Sequence, residues 1–169
     1  MLDVRPETPA DFDAIRELHA AAFAPSDVEP RLVDRLRADG DHVPELSLVA
    51  TDDDAVVGHV LFSRATLGEP PRGILVLAPM AVTPDRQRRG IGAALVTESL
   101  KRARETVYPL VSVLGHAEYY PRFGFGPASA LGISPPFEVP DEAWMAYPLP
   151  RYTPDARGTV RYASAFGSV

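Results

Sequence analysis

At 169 residues, with a formal net charge of −6 and no cysteine, the chain has the size of one ordinary domain and cannot build a disulfide framework or a thiolate metal site. Net acidity excludes a general nucleic-acid-binding face, and the scattered His19, His42, His59 and His116 lack ligand spacing, so neither nucleic acid nor metal is an expected partner. No stretch approaches the ~18 apolar residues of a membrane span and Met1–Arg5 carries no apolar leader, so a cytoplasmic protein without membrane attachment is expected.

Asp3–Pro6 reads as a first strand. Thr8 then offers an N-cap with Pro9 at the first helical position, and Phe12, Ile15, Leu18 and Ala22 recur at helical spacing, which predicts a helix to about Phe23. A second helix is expected from Ser26 through Arg37, ended by Gly40. Leu46–Ala50 and Val56–Phe62 flank the polar Thr51–Asp54 and read as a hairpin. Gly73–Leu77 is apolar on both faces, the pattern of a central strand. Pro79 cannot donate to a ladder, so it predicts a bulge or a point where pairing stops.

After Gly92 a helix is expected to bury Leu95, Val96, Leu100 and Ala103 and to expose Glu98, Lys101, Arg102 and Arg104. Leu110–Gly115 is another buried strand, followed by a short helix within Ala117–Phe123 that holds Pro121 in its first turn and Gly124 at its C-cap. Ala143–Tyr147 and Thr159–Tyr162 are strand candidates in a remainder rich in proline and glycine. The order predicts an α+β arrangement around one sheet.

The most informative stretch is Leu77–Val96: an apolar strand, a basic turn with Arg86, Arg88 and Arg89, and a helix opened by Gly90 and Gly92. Such a turn gathers bare backbone N–H groups, the positive end of a helix dipole and guanidinium groups around one point, which suits a phosphate-bearing ligand. A dinucleotide fingerprint fails because Leu95 stands at its third glycine, and a P-loop fails for want of Gly-Lys-Ser/Thr.

Gln87, Gly90 and Gly92 fit, residue for residue, the acyl-CoA-binding pattern of the GCN5-related N-acetyltransferases, a Gln or Arg followed by x-x-Gly-x-Gly or Ala. Leu114–Phe125 resembles the YhbS-like predicted-acetyltransferase subgroup, and the likeness runs from the first strand to the strand of Trp144. The resemblance implies one N-acetyltransferase domain over 1–169, with a core of about 1–150 and a C-terminal extension at 151–169. It implies a mostly antiparallel mixed sheet, splayed between its fourth and fifth strands, with helices on both faces. Acetyl-CoA is the implied co-substrate. The backbones of Met80 and Val82, with Ala81 between them, would meet the acyl carbonyl and pantetheine amides; N–H groups at Arg88, Gly90, Gly92 and Ala93 would hold the pyrophosphate; Gln87, Arg89 and Ile91 complete the motif.

Tyr120 occupies the place of the family's acid for the departing thiol, which implies direct acetyl transfer to a small-molecule or protein amine in a ternary complex. Of the adjacent tyrosines, Tyr119 is expected to pack in the core. Several family members carry a base on the strand before the phosphate turn, yet Gly73–Val82 contains no carboxylate, which leaves His116, His59 or a water chain. Acceptor contacts are expected from Phe23–Glu29 and Ser134–Tyr152, neither with a decisive charge pattern, and the extended C-terminal segment offers an edge for a homodimer. A non-catalytic acyl-CoA sensor or scaffold of the same fold, or a transferase using another acyl-CoA, are the alternatives.

Overall fold

The computed structural model describes residues 1–167; Ser168 and Val169, the end of the segment read as an extension, lie outside the described residues. Strands β1 (Leu2–Pro6), β2 (Leu48–Asp52), β3 (Ala55–Leu67) and β4 (Arg72–Val82) form an antiparallel meander. β4 then pairs in parallel with β5 (Leu110–Leu114), and β6 (Gly126–Pro127) and β8 (Trp144–Pro148) complete the order β1–β2–β3–β4–β5–β8–β6. Strand β9 (Gly158–Arg161) pairs with the far end of β3 and with β7 (Ile133–Ser134).

Period-two alternation decides which face each helix covers. Leu48, Ala50, Val60, Phe62, Leu75 and Leu77 pack with Leu95, Val96 and Leu100 of α3 (Ile91–Ala103). The intervening Val49 and Leu61 pack on the opposite face with Ile15 of α1 (Phe12–Ala22) and with Leu32, Val33 and Leu36 of α2 (Val28–Asp39). Beyond α1 and α2, residues Leu67, Ile74 and Val76 are covered instead by Ile133, Trp144 and Val160. No helix among the described residues is long and apolar enough to cross a membrane.

Several boundaries differ from expectation, each for a local reason. Residues Pro9–Asp11 form a 3-10 turn, and α1 proper begins at Phe12. Asp11 stays out of the α-helix because its carboxylate accepts from the Thr8 N–H at 2.8 Å and from Arg5 at 2.8 and 3.0 Å. Leu46 lies in another 3-10 turn, so β2 opens later than expected. β3 continues past Phe62 to Leu67, with Arg64 and Thr66 exposed and Ala65 and Leu67 buried. α3 opens at Ile91, before Gly92.

Two irregularities open the sheet. β3 pairs Val60 with Met80 and Phe62 with Leu77, so Ala78 and Pro79 together oppose Leu61: the bulge expected at Pro79. β4 and β5 pair only at Leu75↔Val111 and Val76↔Ser112, and beyond them the strands part.

A buried polar chain ties α1 and α2 to β3. The Glu7 carboxylate can only accept, so His59 Nε2–H donates to it at 2.7 Å; His59 Nδ1 is then an acceptor, and His19 Nε2–H donates to it at 2.8 Å. Arg37 closes the chain on Glu7 at 2.8 and 3.2 Å. Both imidazoles have 0% exposure. Burial pushes His19 down to about 3, reinforced by His59, and burial likewise holds His59 below the ordinary histidine range. For Glu7, burial pushes upward, but the hydrogen bonds from His59 and Arg37 together outweigh it and the carboxyl ends low.

These groups give the fold an acid limit. In the unfolded chain each histidine takes a proton below a pH of about 6.5, whereas the folded chain refuses it, so the unfolded state holds more protons and stability falls as pH falls. The depressed Glu7 acts in the same direction at lower pH. Urea unfolding is expected to be nearly constant above pH 7 and to lose about 2 kcal/mol through His19 by pH 5, with His59 acting in the same direction. His19→Gln, which cannot titrate, should flatten that slope; a wild-type midpoint that does not move between pH 7 and 5 would rule the account out.

Candidate active site

Where β4 and β5 part, a cleft of about 920 Å³ opens. Its walls are the end of β4 from Leu77 to Val82, the loop and helix start carrying Arg86 to Ala93, the segment from Leu114 to Tyr120 with Arg122, and the α1–α2 corner at Ala22, Phe23, Glu29 and Leu32. The Thr83 N–H donates to Val57 O across to β3 at 2.9 Å. Strand alternation therefore turns the backbone groups of Met80 and Val82 the other way, into the gap that β5 has left. The Gln87 amide confirms that direction, donating to Val82 O at 3.1 Å and tying the loop to the strand.

The loop itself is wound for anion capture. Arg88 and Gly90 hold left-handed φ values of 66° and 84°, separated by one residue, and α3 starts directly after them. The first helical hydrogen bond runs from Ala94 N–H to Gly90 O at 3.0 Å, so the preceding N–H groups of the first turn have no helical acceptor. Arg86 is already spent on Asp52 at 2.6 Å, which pins the loop to the end of β2. Arg88 and Arg89 carry no carboxylate partner among the described residues and are exposed. A Cβ on Gly90 would meet nothing within 4 Å, so this glycine serves backbone conformation. At Gly92 the reason is space: a Cβ would stand 2.8 Å from the Tyr119 hydroxyl and 3.8 Å from Met80 Cε, in the passage between the two.

Met80, Ala81, Val82, Gln87, Arg88, Gly90, Ile91, Gly92, Ala93 and Tyr120 thus come together in one cleft, and Arg89 stands outside its lining. The relative burial of the two tyrosines is the reverse of that expected, although both line the cleft. Tyr120 is the more deeply buried ring, packed edge-on against Phe125 and Tyr119, and burial pushes its hydroxyl up to about 12. Tyr119 is only half-buried and also lines the cleft, its ring under the Arg122 guanidinium at 4.5 Å. The cause is Gly115, where a Cβ would lie 2.3 Å from Tyr120 Cε2: the bare backbone admits the Tyr120 ring and leaves its neighbour outside. His116 lines the cleft and is exposed. His59 does not reach it, being enclosed between His19 and Glu7.

Residues 3–128 match the model of the GNAT acetyltransferase domain. The chain belongs to the GCN5-related N-acetyltransferase family. Within that family, the chain is 39% identical over 160 residues, 91% of this chain and 88% of the relative, to the uncharacterized N-acetyltransferase YjhQ of Escherichia coli K12. It superimposes on the Escherichia coli GNAT protein YhbS, solved in complex with CoA, with a TM-score of 0.88 at 32% identity, covering 98% of this chain and 92% of that one. A Brucella melitensis GNAT acetyltransferase solved with acetyl-CoA gives a TM-score of 0.81 at 33% identity, covering 98% of each chain. The mixed sheet parted between β4 and β5 is the fold of these acetyltransferases.

The contact between Gly115 and Tyr120 is directly testable. Gly115→Ala should force the Tyr120 ring aside at an overpacking cost of about 1–3 kcal/mol, read as a fall in melting temperature. Gly126→Ala, where a Cβ meets nothing within 4 Å, is the matched control and should change it little. Equal behaviour of the two variants would contradict the packing described.

Proposed function

We propose that the chain is an acetyl-CoA-dependent N-acetyltransferase that moves an acetyl group to a primary amine by direct attack in a ternary complex. The observation that carries this reading is the coincidence, in one cleft, of an unpaired β4 edge at Met80 and Val82, a left-handed basic loop at a helix start, and the Tyr120 ring. The donor contributes a thioester whose carbonyl becomes an oxyanion during attack. The Met80 N–H, facing the gap, donates to that oxygen, while Val82 pairs with the arm behind it as an added strand would. Arg88 and the free N–H groups of α3 hold the pyrophosphate. Tyr120 Oη holds the proton that the leaving sulfur takes.

The burial of Tyr120 sharpens its role. With its hydroxyl pushed up to about 12, it remains protonated throughout the working range and is always able to donate. The acceptor needs the opposite, since an alkyl ammonium with pKa of about 10.4 must lose a proton before it attacks. The buried pair cannot take that proton: His19, held at about 3, is far too weak a base, and His59 is enclosed between His19 and Glu7. His116, exposed at the cleft, or solvent is left to receive it.

Assays of thiol release over an amine panel test the reading. Tyr120→Phe should lower kcat by about 10²-fold while CoA affinity stays within about twofold. The wild-type rate should climb with amine deprotonation, and no falling limb from Tyr120 should occur below pH ~11. Arg88→Ala should weaken CoA binding about three- to tenfold, less so at high salt. Firm CoA binding without turnover on any amine would replace the enzyme by a sensor of the same fold.

A further inference from the structure

The wall of the cleft formed by α1 and α2 has a charge of its own sign. The cleft is lined by the ionisable Arg86, Arg88, His116, Arg122 and the two tyrosines, and Glu29, in the first turn of α2, is the one carboxylate in the lining among the described residues. Phe23 and Leu32 line the same cleft. The other carboxylates at these helices are largely neutralised. Asp13 and Asp34 meet Arg16 at 3.1 and 3.0 Å, Asp27 meets Arg31 at 3.4 Å, and Asp39 meets Arg35 at 3.1 Å. Glu17 and Glu29 have no such cation among the described residues, and of these only Glu29 lines the cleft.

The Glu29 side chain is nevertheless held in place. Its Oε1 accepts from Ser26 Oγ at 3.2 Å, and that hydroxyl also receives the Val28 N–H at 3.2 Å. Phe23 is held by its parallel stack on the buried His19 ring, with centroids 5.9 Å apart and planes within 4°. A hydrogen-bonded, half-buried carboxylate without a cation among the described residues, lining the same cleft as a stacked aromatic ring, can receive a cation on an apolar body.

We propose that Glu29 is the cation subsite of the acceptor: the amine binds in its protonated form, its ammonium on the Glu29 carboxylate and its apolar body against Phe23 and Leu32. The inference rests on the acetyl-CoA reading of the same cleft. The anionic donor is drawn to the arginine end and the cationic acceptor to the opposite wall, so the two substrates are sorted by charge before they react. Neutral and anionic acceptors gain nothing from the Glu29 charge. The protonated form is also the abundant one for an alkyl amine at neutral pH.

Benzylamine and benzyl alcohol share one ring and differ in a cation against a hydroxyl, so their binding to the CoA-saturated protein, measured by calorimetry, isolates the contribution of charge. The wild-type protein is expected to prefer benzylamine about five- to tenfold, the scale of a partly exposed charged pair. Glu29→Gln should reduce the preference to near one with CoA affinity unchanged within about twofold, and Glu29→Asp should restore part of it. A wild-type protein without the preference, or without detectable benzylamine binding, overturns the proposal, as does a Glu29→Gln protein that keeps it. Failure of the wild type to bind CoA defeats the donor reading instead, and the same two titrations without CoA still decide the role of Glu29.

Discussion

Almost everything this protein can do follows from one interruption of backbone pairing. β4 is shared correctly with β3 for most of its length, yet on its other edge it meets β5 at only two residue pairs. The reason begins in the sequence. Pro79 has no N–H to contribute, and the bulge that absorbs Ala78 and Pro79 changes the course of the strand immediately before Met80. Unpaired strand edges are normally a hazard, because bare N–H and C=O groups solicit another chain. Here the edge is enclosed by the α3 loop on one side and by the Tyr119–Tyr120 segment on the other, so that only a narrow, strand-like ligand can satisfy it.

An open sheet needs its walls held from elsewhere. On the α3 side the apolar stripe from Ile91 to Ala103 does this, together with the Arg86–Asp52 pair. On the α1–α2 side the Arg37–Glu7–His59–His19 chain reaches through the interior and fixes the last turn of α1 beneath Phe23. Its neutral histidines are a weak choice for proton transfer and a suitable one for orientation, since a buried imidazole pair with assigned donors admits one arrangement only. The cost is sensitivity to acid. The same desolvation that makes the pair specific lets the unfolded chain compete for protons as pH falls.

How legible this was depends on the range of the determining interaction. The strand order through β5, the helix ends at Gly40 and Gly124, the bulge at Pro79 and the glycine loop all answer to residues within a few positions of one another, and they appear where the pattern puts them. The extension of β3 to Leu67 was readable too, for Arg64 and Thr66 alternate with Ala65 and Leu67. The relative burial of Tyr119 and Tyr120 was not, because it is decided by the missing Cβ of Gly115, which becomes a neighbour only once β5 turns into the following 3-10 helix. His19 and His59 are 40 positions apart and Glu7 is 52 from His59, distances at which composition says nothing about pairing. Glu29 falls between these cases: the segment Phe23–Glu29 pointed to the acceptor, but its charge looked undecided until the arginines of α1 and α2 were seen to neutralise the surrounding carboxylates and not this one.

That selective neutralisation explains how a strongly acidic chain presents a site of mixed polarity. With 23 acidic residues against 17 basic ones, a random surface would repel an anionic donor. Pairing removes much of that excess where it would do harm: Asp52 is matched by Arg86 at the foot of the loop, and Arg88 and Arg89 have no carboxylate partner among the described residues. At the far wall the balance is inverted: the arginines of α1 and α2 pair with neighbouring aspartates, and of the glutamates without a cation among the described residues, Glu17 and Glu29, only Glu29 lines the cleft. Two poles of opposite sign in one partly enclosed space, where screening is reduced, are what the proposed pairing of an anionic donor with a cationic acceptor draws on. The parted strands supply the space between them, and the acyl carbonyl needs only to be placed where the two substrates meet.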